Sequence, residues 1–315
     1  MNRNISKLIK IFLFIAIIAI TDKVLGLILH NLYFSQTAGE NHSLNYVLSD
    51  CKADVIIFGN SRAQHHYDPR IISKRLNMSC YNAGQDGGHS ILLSYAQIKI
   101  LLEHCLPKII ILELSLDGIA NYPGMYDRLS ILLPYYSDYP EIRSLIRLRS
   151  PYESIKLMSA IYPYNSDIIN IIRFNTNYES DHKFDYDGYV PLKGEINTKM
   201  LTSNHKIARP LVVDTNLKNA LENTINLCKE KGVSLFIVDS PKFLTVNKEQ
   251  NPLTAAEKLT IEIIHRNQVN YLDFSNDSAF AGHFELFDDL VHLNDKGAKM
   301  FSNMLIDRLD NSIEK

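Results

Sequence analysis

Three residues in two distant segments have the side-chain types that nucleophilic acyl transfer requires. Ser61 follows the short apolar run DVIIF, whereas Asp289 and His292 lie three residues apart in the segment FDDLVHLNDKG. A serine nucleophile needs an imidazole to accept its proton, and the imidazole needs a carboxylate to fix its tautomer. A spacing of three allows two side chains to meet on one face of a helical turn. The sequence therefore predicts a triad of Ser61, His292 and Asp289.

Two adjacent histidines compete with His292 for the role of base. His65 and His66 follow Ser61 by four and five residues, so they would lie deeper along the same helix or loop. A metal site would need further ligands, and none can be assembled around them. We expect these two histidines to line the cleft or to lie at the surface. Taken alone, Ser61 could also be the N-cap of a helix.

Short apolar runs alternate with segments of helical periodicity along most of the chain. Runs such as DVIIF and KIIILEL are typical of fully buried parallel strands. The alternation predicts an α/β fold of three layers, with helices on both faces of a central parallel sheet. The predicted strands span 54–58, 78–82, 108–114, 233–238 and 271–274, and the predicted helices span 69–76, 89–105, 215–231, 255–267 and 296–308.

The alternation is interrupted between about residues 118 and 212, which we interpret as an insertion in an α/β domain that spans 51–315. The insertion is rich in Tyr, Pro and Asn, and it contains short helical pieces at 142–149 and 167–174. Its tyrosines could stack on sugars or fill a core. Ligands bind beyond the carboxyl ends of the strands in such sheets. The loops after the strands should therefore gather with the segment 287–297 at one edge.

The N-terminus combines positive charges with a long apolar stretch. Three basic residues lie within the first ten positions, and residues 11–29 are apolar apart from TDK at 21–23. That length is close to the ~20 residues that span a bilayer, and no A-x-A-like cleavage site follows. We predict an uncleaved signal anchor over 1–33 and a polar stem over 34–50, although a buried amphipathic helix is the alternative. The basic start would keep the N-terminus inside a bacterial-type cytoplasmic membrane and place the rest outside.

The composition argues against several classes of function. A net charge of -2 over 315 residues provides no basic field for nucleic acid. The four cysteines form no CxxC zinc pattern and are too few for a disulfide scaffold. One disulfide is an alternative if the domain lies outside the cytosol. Neither GxxxxGK[ST] nor GxGxxG occurs to support nucleotide binding. The sequence predicts neither a cofactor nor a metal.

Three short blocks resemble, in order, the sequence signatures of the SGNH (GDSL-type) hydrolase superfamily. GNSR at 59–62 stands where the family has its serine block, and NAGQDG at 82–87 is similar to the block that ends in an oxyanion glycine. DLVHLNDKG at 289–297 resembles the block whose DxxH supplies acid and base. The resemblance implies that the site consists of Ser61, Asp289 and His292 as the triad, with the backbone N–H groups of Ser61 and Gly87 as oxyanion donors.

Two positions depart from the family pattern. Asn60 replaces the aspartate that usually precedes the serine, and asparagine can make similar hydrogen bonds in a turn. The third block of the family supplies an asparagine to the oxyanion hole, but here the third strand runs into ILELSLDG without one. Losing one such donor costs about 10²–10³ in rate elsewhere. The candidates for supporting the oxyanion or the substrate are Arg62, Asn82 and Ser115, although Arg62 could instead pair with Asp68 or Glu113.

The resemblance implies a membrane-anchored serine esterase or acyltransferase that works outside the cytoplasmic membrane. Anchored members of the superfamily resemble modifiers of cell-surface or exported polysaccharide. This implies acyl esters of glycans as substrates, with O-acetyl esters as the expected class, and a membrane acyl-transfer protein as a partner. The rival hypothesis is a non-catalytic SGNH-like scaffold in a surface-glycan acylation complex. The missing asparagine favours the scaffold, and the intact Ser, Asp and His argue against it.

Overall fold

The computed structural model describes residues 3–37, 39–87, 91–176, 186–196, 212–243 and 253–313. Within these ranges the strands are β1 (Val55–Phe58), β2 (Cys80–Asn82), β3 (Ile109–Glu113), β4 (Ser234–Asp239) and β5 (Asn270–Asp273). The helices are α1 (Arg3–Phe34), α2 (Gly39–Ser49), α3 (Ser61–His66), α4 (Pro69–Leu76), α5 (Ile91–Leu101), α6 (Arg143–Ile146), α7 (Glu153–Lys156), α8 (Ile168–Asn175), α9 (Thr215–Lys231), α10 (Ala255–Arg266) and α11 (Asp295–Ile313). The start of the helix predicted at 89 and two parts of the predicted insertion, 177–185 and 197–211, lie outside the described residues.

The five strands form one parallel sheet in the order β2-β1-β3-β4-β5. The chain therefore starts near the middle of the sheet and adds strands first on one side and then on the other. Phe58 of β1 is paired with Leu112 of β3. The residues that follow these two strands are therefore neighbours at the carboxyl edge of the sheet. The predicted α/β class with a central parallel sheet is confirmed.

Both faces of the sheet are buried, as the uninterrupted apolar strands require. On one face, Ile57 and Ile111 belong to the same core cluster as Phe301 and Leu305 of α11. The alternate residues of the strands, such as Ile110, are also fully buried. Side chains from α11 thus reach the strands that end at the predicted site.

Local capping signals explain why several predicted helix boundaries agree with the structure. The Asp214 side chain accepts hydrogen bonds from the N–H groups of Asn216 and Leu217 and begins α9, and Gly232 ends it at φ +69°. Thr254 and Glu257 form a reciprocal capping box at the start of α10. These signals lie within a few residues of one another in the sequence and so can be read from it.

The chain divides into two compact units. The first unit comprises residues 1–45 and 129–181, and the second comprises 46–128 and 182–315, which include the whole sheet. The predicted division into anchor, stem and α/β domain with an insertion stays a prediction. Within the range predicted as a stem, the structure has the helix α2.

The first unit has an aromatic core. Tyr33 of α1 lies against Tyr135 and Tyr164, with ring centroids 6.0 and 5.7 Å apart. Tyr135 and Tyr164 are 2% and 5% exposed. These two tyrosines of the predicted insertion therefore fill a core and do not offer free faces to sugars.

One helix among the described residues is long and apolar enough to cross a membrane. It covers residues 4–34 of α1, its most apolar window has a mean hydropathy of 2.4, and 6% of that window is buried. This is compatible with the predicted single-pass anchor.

Gly84, in the loop after β2, packs directly on the backbone of α3. A Cβ at this position would lie 2.4 Å from the Gln64 nitrogen and 2.7 Å from the Ala63 carbonyl carbon. Because neither backbone atom can move without displacing α3, Gly84→Ala should destabilise the fold by about 1–3 kcal/mol. Urea unfolding of the purified chain would measure this loss, and an unchanged unfolding midpoint would contradict the packing described here.

Candidate active site

Ser61, His292 and Asp289 form one chain of hydrogen bonds. His292 Nε2 lies 2.8 Å from Ser61 Oγ, and His292 Nδ1 lies 2.8 Å from Asp289 Oδ2. Because an ionised carboxylate can only accept a hydrogen bond, the ring proton belongs on Nδ1 and the lone pair of Nε2 faces the serine hydroxyl. This is the arrangement in which an imidazole can remove a proton from serine.

Ser61 begins α3 directly after the loop that follows β1. The Asn60 side chain caps the helix and accepts a 2.9 Å hydrogen bond from the Arg62 N–H. Gly59 has φ +151°, and a Cβ there would lie 2.7 Å from the Glu113 Cβ, so the turn requires glycine. The asparagine that departs from the family pattern thus supplies the cap that an aspartate would.

A short turn holds Asp289 and His292 together. Asp289 Oδ1 accepts hydrogen bonds of 2.8 Å from the backbone N–H groups of Val291 and His292, while Oδ2 faces the His292 ring. Burial alone would raise the pKa of Asp289, but the His292 ring and these N–H groups lower it overall. Asp289 is therefore ionised near neutral pH and favours the proton on His292 Nδ1.

His66 supports the His292 turn from below. Its Nε2 accepts a 3.0 Å hydrogen bond from the Leu293 N–H, so its proton must sit on Nδ1, which donates to Ser240 Oγ at 2.8 Å. His66 is completely buried. Burial and the nearby charges of Arg62 and His292 hold the pKa of His66 well below its usual value, so this ring is neutral.

His65 also packs against the ring of His292, and it is held by a hydrogen bond to a backbone carbonyl. Its Nδ1 donates to the Val190 carbonyl at 2.7 Å, and its ring lies edge-on to that of His292 with centroids 5.7 Å apart. His65 is 8% exposed, and burial lowers its pKa. The expectation that His65 and His66 line the cleft or the surface is wrong, because both are buried around His292.

Arg62 is the centre of a buried charge cluster beneath the site. Its guanidinium pairs with Glu113 at 2.7 Å and with Asp239 at 2.8 Å, and it donates to the Ser240 carbonyl at 3.1 Å. Burial would lower the pKa of Arg62, but Glu113 and Asp239 outweigh it and raise the pKa. Of the alternatives for Arg62, the structure shows the pairing with Glu113; Asp68 pairs with Arg70 instead.

Ser115 lies two residues after the end of β3, in the segment where the resemblance predicts an oxyanion donor from either Ser115 or Asp117. Its Oγ accepts hydrogen bonds from Arg62 Nη2 at 2.5 Å and from Lys242 Nζ at 3.2 Å. Both partners are cations that can only donate, so they use both lone pairs of the hydroxyl oxygen. The Ser115 hydroxyl proton must therefore point away from both cations.

Two further candidates have their polar groups engaged elsewhere. Asn82 is completely buried; its amide donates to the Ala63 and Tyr67 carbonyls, and its oxygen accepts from the Gly84 N–H. The Gly87 N–H donates to its neighbour's carboxylate, Asp86 Oδ1, at 2.6 Å, and Gly87 has φ +65°. Neither Asn82 nor Gly87 is among the described residues that line the cavity at Ser61.

A cavity of about 520 Å³ opens beside Ser61 and His292. Its wall is largely apolar, and its charged lining residues are Arg62, Glu113, Asp117, Arg128 and Lys242. The apolar residues of the wall include Ile91, Leu112, Leu114, Met125 and Val291. Ser115 also lines this cavity, which brings the hydroxyl described above into the space in front of the triad.

Lys242 and Arg128 were not singled out from the sequence. Lys242 follows β4, and the rule that ligand sites lie beyond the carboxyl ends of parallel strands could have identified it. It pairs with Asp239 at 3.2 Å. Arg128 lies in a 3₁₀ turn, and its guanidinium approaches the Gly87 position and donates to the Asp86 carbonyl. No sequence motif marks Arg128.

The cysteines do not offer a competing nucleophile. All four are free, and burial raises the pKa of Cys228 to about 12 and that of Cys80 well above its usual value. A reactive thiol needs a lowered pKa. Among the residues that the structure describes, no group of three or more His, Cys, Asp or Glu side chains could hold a metal ion.

Comparison with known proteins leaves the chain without a family assignment. No protein-family model matches the chain, and no curated protein sequence matches it. Among solved structures, it is similar to a crystal structure from Bacteroides fragilis described as a "putative acylhydrolase". That similarity has 10% sequence identity and a TM-score of 0.37, and it covers 85% of this chain and 94% of the other. At this TM-score the similarity supports no statement about chemistry.

The neutral state of His66 makes stability depend on pH. Its folded-state pKa lies below the value of about 6.5 in an unfolded chain, so the unfolded state binds more protons at acidic pH. The contribution of neutral His66 to the free energy of unfolding should be complete above about pH 6.5. Below that pH the free energy of unfolding should decrease by up to about 1.4 kcal/mol per pH unit. His65 acts in the same direction.

The variant His66→Gln tests this dependence. Glutamine keeps an acceptor for the Leu293 N–H but cannot be protonated, so its thermal midpoint should fall less than that of the wild type on acidification from about pH 7.5 to about pH 5. Circular dichroism at a series of pH values would measure both midpoints. Parallel pH profiles for the two proteins would show that His66 does not contribute.

Proposed function

We propose that this protein is a serine esterase or acyltransferase that acts on acyl esters. The observation that carries the proposal is the unbroken chain of 2.8 Å contacts from Asp289 through His292 to Ser61, at the wall of a cavity. A structural N-cap at Ser61 would not need an oriented imidazole at its hydroxyl. The ionised Asp289 and a His292 tautomer with its ring proton on Nδ1 supply what a serine nucleophile requires.

In the proposed reaction His292 Nε2 takes the Ser61 proton while Ser61 Oγ forms a bond to the ester carbonyl carbon. The carbonyl oxygen becomes an oxyanion in a tetrahedral intermediate. The intermediate collapses, the ester C–O bond breaks, and the alcohol leaves with the proton from His292. Water or a sugar hydroxyl then gives its proton to His292 and attacks the acyl carbon; the bond from that carbon to Ser61 Oγ breaks, and His292 returns the proton to Ser61 Oγ.

Ser115 is the proposed donor in place of the family's asparagine. Both of its lone pairs are taken by Arg62 and Lys242, so its hydroxyl proton is free to point to a negative oxygen in the cavity. Two cations also polarise this hydroxyl, which strengthens it as a donor. The N–H of Ser61, at the first position of α3, is the second proposed donor.

Gly87 keeps its predicted oxyanion role only if its N–H is released from Asp86. The observed bond from Gly87 to Asp86, together with the missing asparagine after β3, favours the non-catalytic scaffold as a second candidate. The scaffold hypothesis predicts that substitution of Ser61 leaves the protein's contribution to glycan acylation unchanged. The enzyme hypothesis predicts its loss.

The substrate class and location are proposed from the resemblance together with α1. An α1 that crosses the membrane would tether the site at the outer surface, where cell-surface or exported glycans with O-acetyl esters are the proposed substrates. Lys242 and Arg128 at the cavity would suit a glycan that carries negative charge. A membrane acyl-transfer protein is the proposed donor if the reaction is a transfer.

The central prediction concerns Ser61. Ser61→Ala should lower kcat for a chromogenic acetyl ester by at least about 10³-fold, because loss of a nucleophile removes the covalent step. The matched control is Ser49→Ala, which removes an exposed serine hydroxyl bonded to Asp50 in the same unit and should leave activity unchanged. Absence of activity in the wild type, or equal activity in Ser61→Ala, would overturn the enzyme hypothesis.

A second prediction concerns Ser115. Ser115→Ala removes the proposed oxyanion donor and should lower kcat by about 10²-fold with little change in KM, because the interaction forms only in the transition state. Ser115→Thr keeps a hydroxyl, so it should retain most of the activity. If Ser115→Thr is as slow as Ser115→Ala, or if only KM changes, Ser115 does not donate to the oxyanion.

A further inference from the structure

The first unit leaves large apolar side chains exposed beside α1. Outside α1, most such side chains among the described residues lie between Tyr152 and Ile172. Ile155 and Met158 are 66% and 73% exposed. Exposed apolar side chains that cluster mark a surface that is covered by something other than water.

The carboxylate of the same segment is turned inward, whereas Ser154 and Lys156 are exposed. Glu153 of α7 is 1% exposed and is paired with Arg149 at 3.1 Å and with Lys156 at 2.9 Å. The Tyr162 hydroxyl also donates to Glu153, at 2.8 Å. A segment in water would bury its apolar side chains and expose its carboxylate. This segment does the reverse, as a surface in contact with lipid does.

Contacts with Asp22 and Gly26 fix the position of this segment along the axis of α1. Asp22 accepts hydrogen bonds from the Ser159 hydroxyl and from the Ala160 N–H, the latter at 2.7 Å. A Cβ at Gly26 would lie 2.4 Å from the Ala160 Cβ, so the two backbones touch there. Residues 158–161 therefore lie level with residues 22–26 of α1.

Residues 22–26 belong to the part of α1 that a bilayer would surround. A span needs about 20 residues, and from Ile11, where the apolar stretch begins after Lys10, this reaches about Leu29. Exposed apolar residues continue past the charged pair, to Leu27 and Ile28. The membrane boundary thus lies beyond Asp22, so the segment bonded to Asp22 is at membrane depth.

We propose that residues 152–161 form a second membrane contact, in which α7 and the turn after it lie in the outer leaflet of the bilayer. Ile155 and Met158 face the acyl chains, and Tyr152 lies at the headgroup level, where tyrosines are enriched. The donors of this segment satisfy the Asp22 carboxylate, which would otherwise be costly at that depth. The inference rests on the proposed anchoring by α1.

The experiment places a fluorophore at single cysteines of the full chain in lipid nanodiscs and measures quenching by lipids that carry a spin label near the top of the acyl chain. The background is Cys105→Ser, since Cys105 is the one native thiol that is not buried. The test variants are Ile155→Cys and Met158→Cys. The matched control is Ile172→Cys, since Ile172 is also apolar and 54% exposed but lies on α8, whose Asn175 bonds to the Leu32 carbonyl farther along α1.

Labels at 155 and 158 should be quenched at least about threefold more than the label at 172, because collisional quenching requires contact with lipid. Ile15→Cys, in the middle of the apolar stretch, reports on the span itself. Quenching at 15 without quenching at 155 and 158 would overturn this inference and leave the anchor intact. Absence of quenching at all positions would overturn both the anchor and the inference.

Discussion

The buried guanidinium of Arg62 is the interaction on which the rest of the site depends. Arg62 follows β1, its partner Glu113 ends β3 and its partner Asp239 ends β4, so one side chain joins the ends of three neighbouring strands. Removing one member of such a cluster leaves an unpaired buried charge, which typically costs about 3–5 kcal/mol. The cluster therefore fixes the sheet edge at which the hydroxyl of Ser61 emerges.

The same cluster is connected to the turn that carries the proposed base through three hydrogen bonds. Arg62 donates to the Ser240 carbonyl, Ser240 accepts from His66, and His66 accepts from the N–H of Leu293, next to His292. On the opposite side Arg62 donates to Ser115. The proposed nucleophile, the proposed base and the proposed oxyanion donor are thus all positioned by contacts that lead back to the guanidinium of Arg62.

Much of the fold could be predicted because its signals are local. Apolar runs marked the buried strands, and caps such as Asp214 and Gly232 marked helix ends. The close contact of Ser61, Asp289 and His292 was predictable, because their motif and the carboxyl-edge rule do not require knowledge of side-chain directions, whereas their catalytic roles stay a prediction. The helix α2 was not predicted, because the polar character of its segment resembles that of a solvated stem.

The sequence could not predict which polar residues face inward. His65 and His66 stand beside Ser61 in the chain, but α3 turns both into the interior around His292. Arg62 lies next to the serine as a substrate-binding residue would, yet two carboxylates from other strands neutralise it. Lys242 enters the cavity through a contact with Ser115 that spans 127 positions of sequence. Each of these outcomes depends on tertiary pairing.

The distance along the chain between Ser61 and His292 has a consequence for when the proposed site can form. Ser61 and His292 are separated by 231 positions, and the turn that carries Asp289 and His292 lies just before the last helix. A chain that is synthesised and threaded from its N-terminus exposes its serine hydroxyl long before any base exists to activate it. Under the proposed function, reactivity would thus arise only after the chain has been synthesised past residue 292 and α11 has docked on the sheet.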